Sequence, residues 1–566
     1  MDKWEAAKQK DTELYQLLKK DPKNYTYGTS GFRYDGELMK PISLRVGIFM
    51  DYVSKFYYPD ALGVVISASH NQKSDNGLKL INPEGEMLDE KFESCMDVFV
   101  NTEDLELGYQ VLKTSVDKLF GEKQPAEQGL IFIARDTRQS GPEIYTLMTS
   151  YGTSQYVDFG ELSTPVLYFL VAHYNEHKEK YGKVPTADMA SVYFDAIANG
   201  FNYNMDRYFK QKKFNMVIDC ANGVGAKMIE KFRDSQLFSR YNPTLIYNQD
   251  FENLNVDCGA DWVHKYTRAT SAFLQLPEQD GLNNVCFVLD GDADRSVFYK
   301  RISSDSESIK VGDGSRICVL FARVLAHFRS ELLSHQDQFD ANVIDQISKS
   351  SVGVVYTAYS NSAYVDYVRD VLKLGATIAR TGVKFVHAKA KEYDIGIYFE
   401  ANGHGTIIYK HCVVELLEKA ITSAKSEQAK LIAQDFKNYL VAQNDINGDA
   451  ISNVLLILSS FEILNIEPEE TFTCYTDNYS NTSKVPLKDR TLMKSSDDER
   501  MLAQPADIQP QIDQILKEYP GYIGFARPSG TEDCCRVYVE GPDKVKIAEL
   551  ESKLHHVVSS HPKLAI

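Results

Sequence analysis

The sequence predicts an α/β protein of several domains, and three observations carry that prediction. Short β-rich apolar runs recur along the chain. Each is followed by a glycine or polar turn and then a helical pattern. The length, 566 residues, exceeds what one hydrophobic core can organise and alone suggests about three or four domains. In order, the runs are 62–66 before Ser67-Ala68-Ser69-His70-Asn71, 130–134 before Arg135-Asp136-Thr137-Arg138, and 214–219 before Ala221-Asn222-Gly223-Val224-Gly225. Then come 285–289 before Asp290, 395–399 before Glu400, and 522–526 near the C-terminus. Buried strands alternating with helices give largely parallel or mixed sheets, and ligands of such sheets sit beyond the carboxyl ends of the strands, where these polar loops fall. The polar stretch 175–186, with Gly and Pro, reads as a linker, 300–314 as an exposed hairpin or loop, and 413–444 as a long helical region. The first twenty residues read as an exposed or amphipathic helix, charged throughout and without the apolar stretch of a secretion signal.

Composition narrows the function classes. A hydrophobic content of 43% and a charged content of 25% suit a globular chain. The net charge of -17 argues against a general nucleic-acid binder, and any anionic substrate needs a local cluster of Lys and Arg working against the overall field. The nine cysteines contain no C-x-x-C pair and suit a reducing compartment. No apolar run is long enough to span a membrane, so a cytoplasmic protein is expected.

Four loops carry chemistry-bearing residues. In Asp290-Gly291-Asp292-Ala293-Asp294-Arg295, three carboxylates at alternate positions follow a buried strand, and small spacers let their oxygens converge on a hard cation such as Mg²⁺. An EF-hand would need Gly at its sixth position and Glu at its twelfth, where Arg295 and Arg301 stand. The competing reading is an acidic surface turn, which rarely follows a fully apolar strand so closely. Ser69 lies in a turn with Ser67, His70, Asn71 and Lys73, and Gly77 is placed in the same loop; alone, this is an ordinary hydroxyl-capped turn. Arg527-Pro528-Ser529-Gly530-Thr531, with Arg536 behind it, offers exposed amides, hydroxyls and guanidinium forks suited to a phosphate dianion, or else is a turn with surface arginines. Glu400-Ala401-Asn402-Gly403-His404-Gly405 could hydrogen-bond sugar hydroxyls or be a plain turn.

Together the loops are more specific. Tyr27-Gly28-Thr29-Ser30-Gly31-Phe32-Arg33, Ser67 to Asn71, Asp290 to Arg295, Glu400 to Gly405 and Arg527 to Asp533 stand in the order and approximate spacing of the α-D-phosphohexomutase superfamily. The chain resembles that superfamily from about Tyr25 to Val539, with supporting stretches at 217–223, Cys258 to Asp261 and Thr381 to Lys384. The Glu-Ala-Asn-Gly-His form at 400–404 is similar to its acetylglucosamine branch; other members often carry Ser where Asn402 stands. There are small departures: Gln72 replaces the usual Pro, Ser30 a common Ala and Ser67 a common Thr.

The resemblance implies four domains around a central cleft. Three have mixed α/β sheets flanked by helices: a phosphoserine domain at 1–185, a metal-binding domain at 186–300 and a sugar-recognition domain at 301–440. The fourth, 441–566, is an α+β domain that binds phosphate. It implies that Ser69 is phosphorylated and acts with His70, Arg33 and Lys384, and that Asp290, Asp292 and Asp294 hold Mg²⁺ together with an oxygen on Ser69. Arg295, Glu400, Asn402, His404, Arg527, Ser529, Gly530, Thr531 and Arg536 would bind substrate. The implied reaction interconverts N-acetylglucosamine 6-phosphate and 1-phosphate through a sugar 1,6-bisphosphate, which also serves as activator, in a cytoplasmic monomer on the way to UDP-N-acetylglucosamine. His70, Arg33, Arg138, Lys384 and His404 are the candidates for acid and base. The alternatives are a glucose or mannose phosphomutase of the same superfamily, or a non-catalytic sugar-phosphate-binding scaffold. Phosphoserine adds roughly two negative charges beside three carboxylates, which calls for a divalent cation.

Overall fold

The computed structural model describes residues 24–28, 31–126, 128–182, 184–279, 281–303, 307–529 and 533–564. The N-terminal segment read as a helix, Thr29 and Ser30, and the expected phosphate ligands Gly530 and Thr531 lie outside the described residues. The chain divides into two compact units, one of residues 24–314, 402–406 and 437–465, the other of 315–401, 407–436 and 466–564. Mixed sheets and helices make up both, as the α/β reading expects.

The first unit holds two five-stranded sheets. One contains β1 (Phe32–Asp35), β2 (Leu62–Ile66), β3 (Asp75–Ile81), β4 (Leu130–Arg135) and β5 (Gln155–Glu161) in the order β1-β3-β2-β4-β5. The other contains β6 (Asn215–Asp219), β7 (Thr244–Ile246), β8 (Asn284–Leu289), β9 (Ser296–Arg301) and β10 (Ile309–Gly312) in the order β10-β9-β8-β6-β7. Strand β2 runs parallel to β4, and β6 parallel to β8, so their carboxyl-end loops lie side by side. All five residues of β2 are buried, as expected of a continuous Val/Ile/Leu run covered on both faces. Helix α1 (Gly36–Phe56) starts where the Asp35 carboxylate accepts from the Glu37 N–H at 3.0 Å, and helix α2 (Thr164–Glu176) follows β5. The expected linker at 175–186 opens with the end of α2 and a helical turn, Lys178–Tyr181. The expected hairpin at 300–314 pairs β9 with β10, Arg301 opposite Ile309.

The second unit has a sheet of β11 (Val352–Thr357), β12 (Gly375–Ala379), β13 (Ile395–Phe399) and β14 (Gly405–Tyr409), in the order β12-β11-β13-β14, whose first two β14 residues group with the first unit. Helix α3 (Gly314–Ser334) precedes it, and α4 (Val383–Ala390) connects β12 to β13. The helical region expected over 413–444 is two helices, α5 (His411–Ser423) and α6 (Glu427–Val441). The break has a local cause: Ala424 turns to extended backbone and the Ser426 hydroxyl accepts from the Ala429 N–H at 3.3 Å. Helix α7 (Ala450–Ile463) belongs to the first unit. The second unit ends with β15 (Tyr479–Pro486), a small hairpin of β16 (Lys494–Ser495) and β17 (Leu502–Gln504), then β18 (Ile523–Pro528), β19 (Cys534–Gly541) and α8 (Lys544–Ser559). Strands β15, β19 and β18 form an antiparallel sheet packed on α8. Among the described residues no helix is long and apolar enough to cross a membrane.

Candidate active site

Ser69 closes the turn after β2 and is 1% exposed, with φ of 52°. A left-handed serine costs about 1 kcal/mol or more, so the surroundings must hold it. The Ser69 N–H donates to the Ser67 hydroxyl at 2.9 Å, which donates to Asp136 at 2.7 Å. Arg138, in the loop after neighbouring β4, donates to Asp136 at 2.9 Å and to the carbonyls of Ser69, Asn71 and Asp75 at 3.0, 2.8 and 2.7 Å, and also to that of Gln72. Those five bonds use all the N–H donors a guanidinium has. Arg138 was a candidate acid or base; its donors are committed instead to shaping the Ser69 loop. Asn255 Nδ2 adds bonds to the same Ser69 and Asn71 carbonyls, both at 2.9 Å. Gly77, expected in this loop, lies in β3.

The Ser69 hydroxyl donates to Asp290 Oδ2 at 2.8 Å. The other oxygen of Asp290 accepts the N–H groups of Asp294 and Arg295 at 3.0 and 3.2 Å, curling the loop after β8 so that Asp292 and Asp294 face inward. Gly291 is required there, since a Cβ would come within 2.6 Å of the Ser69 carbonyl. The three carboxylates are buried and offer oxygens all within 4.8 Å of one another. Lys79 of β3 donates to Oδ2 of both Asp292 and Asp294 at 2.7 Å, and the Thr164 hydroxyl at the head of α2 donates to Asp292. Oδ1 of Asp292 and of Asp294 is buried without a hydrogen bond.

Charge and burial act in opposite directions here. Burial pushes all three carboxyls up; for Asp292 and Asp294 the Lys79 ammonium outweighs it and leaves them below the usual carboxylate range. Asp290, without that partner, is held well above it by burial and by its two neighbours. One buried ammonium among three carboxylates leaves a deficit of positive charge, and the unbonded Oδ1 of Asp292 points to where it can be made up. The residues therefore fit a hard divalent cation.

His70 is half-buried; burial, then Arg295 and Arg33, push its imidazole down to about 3, so it is neutral in the physiological range. Arg295 pairs with Asp261 at 3.0 Å, its Nε lying 3.7 Å from Asp294 and 3.9 Å from Asp290. Arg33, on β1, reaches the Asn71 amide oxygen at 3.5 Å. His404 is buried with Nδ1 3.5 Å from Asp294, and its N–H donates to Asn402 Oδ1 at 3.1 Å, so Asn402 shapes its own loop. Gly403, with φ of 90°, packs on the Ser296 carbonyl, whose chain neighbourhood is tied to it by a 3.1 Å bond from the Ser296 N–H. A cavity of about 540 Å³ opens beside His70, lined also by Asn255, Asp261 and Trp262.

In the second unit the register of β15, β19 and β18 sets Lys484 opposite Arg536 and Arg536 opposite Arg527. Like charges directly opposite one another destabilise a sheet unless an anion joins them. Arg527 is held by Glu499 at 2.9 Å and by the Tyr359 hydroxyl at 2.6 Å, with that ring 4.8 Å from the guanidinium carbon. Ser529 follows, its N–H bonded to the Cys534 carbonyl at 2.8 Å. Lys384 lies in the first turn of α4, and Glu400 follows β13, both in this unit.

Sequence reasoning missed Lys79, Thr164, Asn255, Lys484 and Glu499. Lys79 had a signal, a lone lysine between Leu78 and Leu80 in an otherwise apolar run. The others had none, because their roles come from contacts distant in sequence.

Comparison with known proteins adds independent evidence. Family models match at residues 313–466 (phosphoacetylglucosamine mutase AMG1, domain III), 484–556 (phosphoglucomutase/phosphomannomutase, C-terminal domain) and 52–107 (the α/β/α domain I of the same group). Phosphoacetylglucosamine mutase of Candida albicans is 32% identical over 96% of this chain and 99% of its own, and that of Arabidopsis thaliana 34% over 94% and 95%. A solved structure of Aspergillus fumigatus N-acetylphosphoglucosamine mutase superposes with a TM-score of 0.85 at 29% identity, covering 97% of this chain and 98% of its own. Further structures of the Aspergillus enzyme, with GlcNAc-6P and magnesium and with glucose 1,6-bisphosphate, give TM-scores of 0.81 and 0.79; each is 29% identical and covers 97% of this chain and 99% of its own.

Proposed function

From the premise that this chain belongs to the phosphoacetylglucosamine mutase family, we propose that it interconverts N-acetylglucosamine 6-phosphate and N-acetylglucosamine 1-phosphate through phosphorylated Ser69. The observation that carries the reading is the Ser69 hydroxyl 2.8 Å from Asp290, in a nest of three buried carboxylates with one bonded ammonium. Asp290, Asp292, Asp294 and an oxygen on Ser69 would hold Mg²⁺, which when bound neutralises charge on the transferring phosphoryl. In the forward half-reaction the Ser69 Oγ–P bond breaks as the free sugar hydroxyl forms its own bond to phosphorus. The hydroxyl gives up a proton and Ser69 Oγ regains one, leaving a sugar 1,6-bisphosphate. In the second half the other phosphate returns to Ser69. Arg138 and Asn255 keep the Ser69 backbone fixed through both halves, and Lys79 balances two of the carboxylates throughout.

Arg527, Arg536, Ser529, Gly530 and Thr531 would grip the phosphate that is not reacting, while Glu400, Asn402, His404 and Arg295 recognise the sugar. His70, Arg33 and Lys384 act at the transferring group. The match of 313–466 to domain III of the amino-sugar enzyme supports N-acetylglucosamine over glucose as substrate. We take the working form to be a cytoplasmic monomer, which sedimentation and cell fractionation test. The deciding assay compares bisphosphate-primed turnover of N-acetylglucosamine 6-phosphate and glucose 6-phosphate by wild type and Ser69→Ala. Preference for the amino sugar and loss in the variant are expected; a clear preference for glucose 6-phosphate overturns the substrate.

A further inference from the structure

Among the groups that this chemistry does not use, Glu499 is placed in a way that packing alone does not require. It sits between β16 and β17, 5% exposed, with φ of 60°. A glutamate rarely adopts this left-handed region, where glycine would be unstrained. The tip is stitched to keep it there: the Ser496 N–H donates to the Met501 carbonyl at 2.8 Å, the Glu499 N–H to Ser496 at 3.0 Å, and the Arg500 N–H to the Asp498 carboxylate at 3.1 Å. The side chain is thereby aimed at two other loops of the same unit. Oε2 accepts both the N–H and the hydroxyl of Thr381, at 3.0 and 2.6 Å, and Oε1 accepts Arg527 Nη1 at 2.9 Å.

We propose that Glu499 is a positioning residue for substrate phosphate: it holds the Arg527 guanidinium in its binding orientation, on the same carboxylate that fixes Thr381 at the approach to α4. The inference rests on the reading of Arg527 as a phosphate ligand. Tyr359 secures Nε and one face of the guanidinium, Glu499 secures Nη1, and among the described residues Nη2 makes no hydrogen bond. An arginine held in this way meets a phosphate with its rotamer already chosen, and the ordering penalty of a long side chain is not charged to binding. The sign of the effect separates this role from plain electrostatics. A carboxylate beside an anion site repels the anion, so on charge alone its removal would tighten substrate binding; on positioning its removal weakens it.

The test is steady-state kinetics of the full-length enzyme with N-acetylglucosamine 6-phosphate varied and the bisphosphate saturating. Glu499→Ala is expected to raise KM about tenfold with kcat changed less than about threefold. Glu499→Gln still accepts from Arg527 but turns an amide NH₂ toward the Thr381 donors, so a rise of about threefold is expected. The double variant with Arg527→Ala should bind no worse than Arg527→Ala alone, within about twofold, because Glu499 acts through that arginine. A KM that is unchanged or lower in Glu499→Ala, or effects that simply add, overturns the proposal. Should Glu499→Ala fail to fold, an unchanged KM in Glu499→Gln overturns it equally. If Arg527→Ala by itself leaves KM unaltered, the phosphate-ligand reading beneath the inference is what fails.

Discussion

The carboxylate nest around Ser69 and the cation row on the last sheet are built on opposite electrostatic plans. In the first unit three carboxylates are buried with one bonded ammonium, and strained backbone at Ser69 is held by bonds from Arg138 and Asn255 to its carbonyl. In the second, Lys484, Arg536 and Arg527 line up across three strands, with Glu499 bonded to the last of them. One region gathers buried carboxylates and the other aligns cations. A divalent cation fits the first, and a phosphate dianion is the candidate ligand of the second.

The sharpest break comes at Ser69 itself. Ser69→Ala should retain the fold and lose at least about 10³-fold in kcat, with no phosphate found by intact mass. Asp292→Asn should weaken Mg²⁺ binding by more than about 100-fold, beyond the usual effect of an outer-shell partner, as read by activity against free metal concentration. Lys79→Met leaves two buried carboxylates uncompensated. It should cost about 3–5 kcal/mol in chelator and recover part of that in Mg²⁺, measured by urea unfolding under both conditions. At the cation end, Arg527→Lys keeps the charge and loses the fork, so KM should rise about tenfold with little change in thermal midpoint.

The mildest test returns to the first unit. Burial raises the Asp219 carboxyl to about 7, while backbone N–H groups of Ala221 and Gly259 partly offset it. A raised folded-state value means that its stabilising contribution is complete below the unfolded value, about 4, and is lost as pH rises through about 7. Asp219→Asn cannot titrate, so its urea midpoint should fall less between pH 5 and pH 8 than that of wild type. An equal fall in both would remove Asp219 from the account.

Much of the architecture was readable because the period of the apolar runs is local. Strands were expected at 62–66 and 395–399 and are found at those bounds, while 130–134, 214–219, 285–289 and 522–526 shift by one or two residues at their ends. The helical region expected over 413–444 is found as two helices, and the break between them leaves no mark in the pattern because capping by Ser426 is a single-residue event. The aspartate loop was readable for another reason: alternation with Gly and Ala constrains where side chains go, whatever surrounds them.

What no linear reading reaches is pairing between distant residues. That Asp290, Asp292 and Asp294 are candidate cation ligands follows from their spacing; that Lys79, more than two hundred residues away, balances two of them follows from β3 lying beside β2 in the first sheet. Likewise Arg527 is a phosphate candidate from its motif, but Lys484 joins it through sheet register, and Glu499 through a hairpin tip held in a left-handed turn. Side-chain type and local spacing are written along the chain. Desolvation and the partner that offsets it are properties of the packed interior, where a charge meets neighbours chosen by topology.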